Sequence, residues 1–156
     1  MGLKLATLAY VRDGDRTLML RRGGDPNHVH AGRWNGLGGK FEPGESPEAC
    51  LAREVFEESG LVVEEAVLKG FLTFPDFDGQ DDWYAFVYLV TRFRGTPRAG
   101  PEGDLFWIPT VDLPDLPLWP GDRVFLPWLD QPGFFSATFR YERGEFVGHE
   151  VAFYPG

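Results

Sequence analysis

Three glutamates, Glu54, Glu57 and Glu58, stand at i, i+3 and i+4 within the one strongly helical stretch of the chain, residues 46–60. On an α-helix they share an arc of ~100°, and each like-charge pair at that spacing costs ~0.2–0.5 kcal/mol. Glu57 and Glu58 also fall in the last turn, where the helix dipole favours cations. Arg53 can pair with Glu57 at i+4, but one arginine does not neutralise three carboxylates. A solvated acidic face is the plain alternative. Two electrostatic rules broken at one place mark a functional site instead, and three converging carboxylates suit a hard divalent cation with oxygen ligands, Mg²⁺ or Mn²⁺ rather than Zn²⁺. Just upstream, Gly36-Leu37-Gly38-Gly39-Lys40 is a glycine-rich turn that lets backbone approach a ligand closely.

These residues need elements to hold them. Ser46 reads as the helix N-cap, Pro47 as its first residue and Gly60 as its left-handed stop. Around that helix, Ala49, Ala52, Val55, Phe56 and Ser59 form the predicted core stripe. Residues 5–11 and 17–20, joined by Asp13-Gly14-Asp15, read as a hairpin, and 23–34 as a loop. Strand-like runs cover 61–74, 83–93 and 105–108, with a Gly/Pro-rich stretch over 95–103. A short helix is predicted over 120–129, and a closing hairpin over 134–141 and 145–153. Strands on both sides of a central helix imply an α+β layered domain, here a single one over 1–156.

The 156 residues carry 15 basic and 24 acidic side chains, a net charge of −9, which argues against binding duplex nucleic acid through its phosphates. A phosphate-bearing small molecule stays compatible, because a bound divalent cation inverts the local field. No run reaches the ~18 apolar residues of a membrane span, and 1–11 lacks the features of a signal peptide. The single cysteine, Cys50, fits a reducing compartment, so a cytoplasmic location is expected. Monomer and homodimer both stay open. His28, His30 and His149 are too few and too scattered for a zinc site, and the aromatic residues over 134–146 read as strand faces rather than a stacking platform. Asp76, Asp78, Asp81 and Asp82 read as a solvated loop.

Written in full, the segment is Gly39, five residues, Glu45, seven residues, then Arg53-Glu54-Val55-Phe56-Glu57-Glu58-Ser59-Gly60-Leu61. It resembles the Nudix box at every defined position. The resemblance implies a Nudix-like α/β/α sandwich with a mixed sheet, the box forming a loop–helix–loop at the active site. It implies a pyrophosphohydrolase that uses divalent metal on a nucleoside diphosphate linked to another moiety. Glu54, Glu57 and Glu58 would then be metal ligands, with the carbonyl of Gly39 a fourth. Arg53 would orient Glu57, Glu45 would stand behind the ligands, and Lys40 would contact a phosphate or steer a carboxylate. Glu58, Glu54 or an acid from a remote loop would serve as base.

Outside the box, Gly32-Arg33-Trp34-Asn35-Gly36 and Leu118-Trp119-Pro120-Gly121-Asp122 resemble the branch that sanitises oxidised purine nucleotides, the MutT-type 8-oxo-dGTP diphosphatases. That likeness implies Asn35 and Asp122 as hydrogen-bond partners of the purine, Trp119 and Phe74 as its stacking walls, and Glu102 as a loop acid near the metal. It departs in one respect: animal members carry two acids after Trp-Pro, where this chain has Gly121 and Asp122. The leading expectation is hydrolysis of an oxidised purine dNTP, such as 8-oxo-dGTP, to monophosphate and pyrophosphate. ADP-ribose, recommended by Pro75, a dinucleoside polyphosphate, a capped RNA end or a nucleotide sugar is the runner-up. A non-catalytic nucleotide sensor is disfavoured because every box carboxylate is present.

Overall fold

The computed structural model describes residues 2–23 and 32–156; His28, His30 and most of the loop expected over 23–34 lie outside them. The chain runs β1 (Gly2–Asp13), β2 (Arg16–Arg22), β3 (Trp34–Asn35), α1 (Pro47–Ser59), β4 (Val62–Phe74), β5 (Asp81–Arg94), β6 (Gly103–Pro109), α2 (Pro120–Phe125), β7 (Phe134–Glu142) and β8 (Glu145–Tyr154). The strands join one mixed sheet in the order β3-β2-β1-β5-β4-β7-β8, with β6 on the other edge of β2. β1–β5 and β4–β7 are parallel; the remaining pairs are antiparallel.

One edge of β1 is shared between two partners, and this division makes the site. Near the hairpin turn β1 pairs with β2, Val11 opposite Leu18. Further back β2 diverges, and the glycine-rich segment takes its place. Ala9 and Leu37 exchange N–H···O bonds of 2.7 and 2.9 Å, the Thr7 amide donates to the Gly39 carbonyl (2.9 Å) and the Phe41 amide donates to the Leu5 carbonyl (3.0 Å). Gly38 has φ +128°, and a Cβ there would lie 2.0 Å from the Thr7 carbonyl oxygen, so only glycine passes this close to β1.

Alternation along the strands feeds two cores. Ala9, Val11, Leu18 and Val90 pack with Leu51, Val55 and Leu61 beneath α1. Tyr10, Met19, Ala85 and Val87 face the other way, into a larger cluster with Leu118, Trp119, Phe125, Leu129, Phe135, Phe139 and Tyr141. Helical layers on both faces make the expected α/β/α arrangement.

Two local expectations are corrected. The buried face of α1 is Cys50, Leu51, Val55, Glu58 and Ser59, not the stripe of Ala49, Ala52, Val55, Phe56 and Ser59. Ala49, Ala52 and Phe56 are exposed, so the helix is turned by roughly a quarter rotation and carries Glu58 inward. The helix expected over 120–129 ends at Phe125 and continues as a 3₁₀ turn, Leu126–Asp130. Pro127 explains the change, since it has no N–H to continue the α-helical ladder.

Candidate active site

The Ser46 hydroxyl caps α1 by accepting from the Ala49 amide (3.1 Å), and Gly60, at φ +77°, closes it. The three glutamates it carries grade from solvent to core. Their side chains are 52% exposed at Glu57 and 15% at Glu54, while Glu58 is 2% exposed. Arg53 organises the outer part. Its guanidinium donates to both Glu45 oxygens (2.7 and 2.9 Å), to Glu54 Oε1 (2.7 Å), to Glu57 Oε1 (3.2 Å) and to the Lys40 carbonyl (3.0 Å). Those bonds hold the Glu45 carboxyl at about 2. Arginine suits the position because its planar fork reaches several acceptors at once.

Glu58 makes the inner contact. Its Oε1 accepts the Gly38 amide at 2.7 Å, which ties α1 to the glycine segment. Burial pushes its carboxyl up to about 8, helped by the charges of Glu54 and Glu102 and opposed by that amide and by Arg22. Burial raises Glu54 as well, against the pull of Arg53. Glu102 is thus brought within electrostatic reach of both. Gly100, two residues before it, lies against the Glu57 and Glu58 carbonyls closing α1. Gly39 packs its backbone on the Glu54 carboxylate, where a Cβ would meet it at 2.6 Å. Its carbonyl accepts from Thr7 N–H and from the Cys50 thiol (3.5 Å).

Among the described residues, no three Asp, Glu, Cys or His side chains stand close enough together to hold a metal ion as they are. The donor set nevertheless fits a hard cation. All of its side-chain donors are carboxylates, and two of them, Glu54 and Glu58, are destabilised as anions by burial and by neighbouring carboxylates, Glu57 and Glu102 at Glu54 and Glu54 and Glu102 at Glu58, the condition that a divalent ion relieves.

The other expected residues converge on one cavity of about 480 Å³. Gly38, Gly39 and Lys40 line it toward the box, and Asn35, Phe74, Trp119 and Asp122 line its far part. The three glutamates of α1 do not line it; they stand behind the glycine segment. The Asn35 Nδ2 is buried without a hydrogen-bond partner among the described residues, a donor left for a ligand. Burial pushes the Asp122 carboxyl up to about 7, against Arg123 and Arg33.

Three residues around this cavity escaped sequence reasoning, Phe77 and Tyr141 lining it and Arg33 packed against Trp119. Arg33 lies with its guanidinium 4.6 Å from the Trp119 ring centre and donates to the Leu118 carbonyl (2.8 Å). Phe77 meets Trp119 edge-on at 5.6 Å, and Tyr141 lines the same wall. Arg33 stood within the quoted Gly-Arg-Trp-Asn-Gly run; Phe77 and Tyr141 had no local signal. The turn before β5 is stapled by Asp78, which accepts the Gln80 and Asp81 amides and the Trp83 indole N–H. Asp76 and Asp78 are exposed in it as expected, whereas Asp81 and Asp82 are half-buried and open β5 itself, because their backbone pairs with β1 at Gly2 and Leu3. A larger cavity of about 970 Å³ adjoins, walled by residues 76–79 and 142–145 and sharing Phe77, Trp119 and Tyr141.

A mixed sheet between helical layers, with a glycine segment bonded to a carboxylate-bearing helix, defines the Nudix class of hydrolase. The NUDIX domain family matches residues 2–129, and the chain belongs to that family. Hydrolases of this family generally need a divalent metal. The chain is 33% identical over 141 residues to the oxidized purine nucleoside triphosphate hydrolase of Mus musculus, covering 89% of this chain and 87% of that one. The protein of the same name from Danio rerio is 31% identical over 151 residues, covering 95% and 90%. The crystal structure of the MutT protein from Bacillus halodurans superposes with TM-score 0.85 at 28% identity, covering 95% of this chain and 97% of that one.

Proposed function

We propose that this Nudix hydrolase cleaves purine nucleoside triphosphates, those with an oxidised base such as 8-oxo-dGTP above all, to the monophosphate and pyrophosphate. The observation that carries the proposal is the single cavity joining Gly38, Gly39 and Lys40 to Asn35, Trp119 and Asp122. It has phosphate-binding groups at one end and a polar, aromatic-walled niche at the other. Asn35 offers an unpaired amide donor to the base edge. Asp122 offers a carboxyl that gains or loses its proton near neutral pH, and Phe74 and Trp119 supply apolar walls. The two relatives named for oxidised purine triphosphates, similar over most of their length, support the same substrate class.

At the other end Lys40 meets a phosphate as a point charge. Glu54, Glu57 and Glu58, with Glu102, would hold Mg²⁺ or Mn²⁺; the Gly39 carbonyl would join once the Cys50 thiol yields its contact. When bound, the metal neutralises phosphate charge and acidifies a water. Glu54 or Glu58, once ionised, would take a proton from the attacking water, whose oxygen would bond to phosphorus as the bridging P–O bond breaks, giving monophosphate and pyrophosphate. Arg53 holds Glu45, Glu54 and Glu57 in register for this work.

The larger adjoining cavity favours a second reading, a dinucleoside polyphosphate whose second nucleoside enters past Tyr141. A Mg²⁺-dependent hydrolysis panel of 8-oxo-dGTP, dGTP, dATP, ADP-ribose and diadenosine polyphosphates, with products identified, separates the readings. The expected result is a lead in kcat/KM for 8-oxo-dGTP with pyrophosphate released. A lead for ADP-ribose or a dinucleotide would return Asn35 and Trp119 to purely structural roles.

A further inference from the structure

We propose that the Tyr141 hydroxyl and Gly121 form a matched pair that fixes how Asp122 is presented to the base cavity, making Tyr141 a specificity-determining positioning residue. The proposal rests on the reading of that cavity as the base site.

Tyr141 comes from β7 and Gly121 from the first turn of α2, elements that meet only through the fold. The Gly121 amide belongs to the orphan donors of a helix start, which have no acceptor within their own helix. It donates to the Tyr141 hydroxyl oxygen at 2.7 Å in buried surroundings. A Cβ on residue 121 would lie 2.7 Å from that oxygen and 3.0 Å from Phe139 Cδ1. The hydroxyl therefore occupies the volume a side chain at 121 would need, and glycine is the residue that admits it.

The next residue is Asp122, whose own amide turns back onto the Trp119 carbonyl (2.9 Å). Any shift of Gly121 is thus transmitted to the acid through one peptide unit. The Tyr141 ring also stands edge-on to Trp119 (5.8 Å, 89°) and to Phe77 (5.3 Å, 88°). One residue thereby sets both an aromatic wall and the backbone that carries the acid. Burial pushes the phenol up to about 12, so it stays protonated and neutral through the working range.

Tyr141→Phe keeps the ring and deletes the bond, leaving a buried N–H without its partner. Gly121→Ala places a methyl against the hydroxyl. The double variant removes the oxygen that the methyl meets, so its effect should fall short of the two single effects combined. The test uses the full chain with Mg²⁺, reading kcat and KM for 8-oxo-dGTP and dGTP alongside the thermal midpoint. In Tyr141→Phe the ratio of the two kcat/KM values should change at least about five-fold, the worth of one neutral hydrogen bond. That change should reside in KM, with kcat within about two-fold, because bond breaking occurs at the far end of the cavity. An unchanged ratio, or an equal kcat loss for both substrates, overturns the pair as a specificity device and leaves a structural bond. If the wild type turns over neither triphosphate, the substrate reading has failed independently. The same variants are then read on whichever panel compound is hydrolysed, where a KM change at constant kcat supports the pair and constant KM refutes it.

Discussion

Removing the Arg53 guanidinium should loosen the box as a unit, because five of its hydrogen bonds, at 2.7 to 3.2 Å, converge on Glu45, Glu54, Glu57 and the Lys40 carbonyl. In Arg53→Ala the losses fall first on Glu45, which takes two of these bonds and is the arginine's strongest partner, and on Glu54, whose carboxylate is already disfavoured by burial and has Arg53 as its compensating cation. Breaking a fully buried pair by removing one partner costs ~3–5 kcal/mol. Here the Arg53 side chain is 22% exposed and Glu57 half exposed, and water screening brings the expected loss to about 2 kcal/mol. For a chain of this size that is a fall in Tm of roughly 4–8 °C. Arg53→Lys should recover little of it, since an ammonium cannot span the same acceptors.

A second signature lies in acid unfolding. The Glu45 carboxyl sits at about 2 when paired with Arg53, below the ordinary value of 4.5. A carboxyl depressed on folding stabilises above its unfolded value, and that stabilisation is lost as pH falls toward 2. Without Arg53 most of the depression is lost, the Glu42 amide keeping the remainder, so the acid limb should move to higher pH. Thermal scans in chelator at pH 7.5, with urea titrations between pH 3 and 7, read both effects. A Tm within about 1 °C of wild type, together with an unmoved acid limb, would refute Arg53 as the organiser of the carboxylates.

On the reading proposed above, Asn35→Ala should raise KM for the purine triphosphate about ten-fold with little change in Tm, because the lost amide donor has no partner among the described residues and would bond the substrate; steady-state kinetics and a melting curve check it. Asp122 is raised to about 7 from an ordinary 3.8, so the native state holds this proton more tightly than the unfolded one. Its contribution to stability therefore declines as pH climbs from ~4 to ~7 and is level beyond. Asp122→Asn should remove that slope, giving a variant whose Tm gains on wild type up to neutrality. It should also flatten any change in the 8-oxo-dGTP to dGTP preference between pH 6 and 8, because an amide does not titrate there.

The box was legible because its information is local. Gly39, Glu45 and the residues from Arg53 to Leu61 fall within one loop and one helix, where spacing alone dictates which side chains can meet. The rotation of α1 was not legible. Alanine at 49 and 52 is as acceptable in water as in a core, and the decision came from Cys50, Leu51 and the bond between Glu58 and the Gly38 amide, a contact between segments. The proposed base end was readable at Asn35, Phe74, Trp119 and Asp122 only through likeness to a family. Tyr141 and Phe77 reach the cavity because β4 and β7 pair in parallel, Gly70 opposite Phe135, and no periodicity within either strand announces that neighbour. The stop at Phe125 was available in Pro127, whose missing amide ends an α-helix.

The two cores on opposite faces of the sheet carry an evolutionary consequence. The carboxylates ride on a helix packed against one face, whereas Trp119, Tyr141 and the α2 segment belong to the hydrophobic layer of the other. The glycine segment alongside β1 is the seam where they meet. If that second layer walls the base as proposed, substitutions that retune which base is admitted can accumulate there without repacking the first. On the reading proposed above, the molecule is thus divided into a half that hydrolyses and a half that recognises, and a scaffold built this way can change diet while keeping its chemistry.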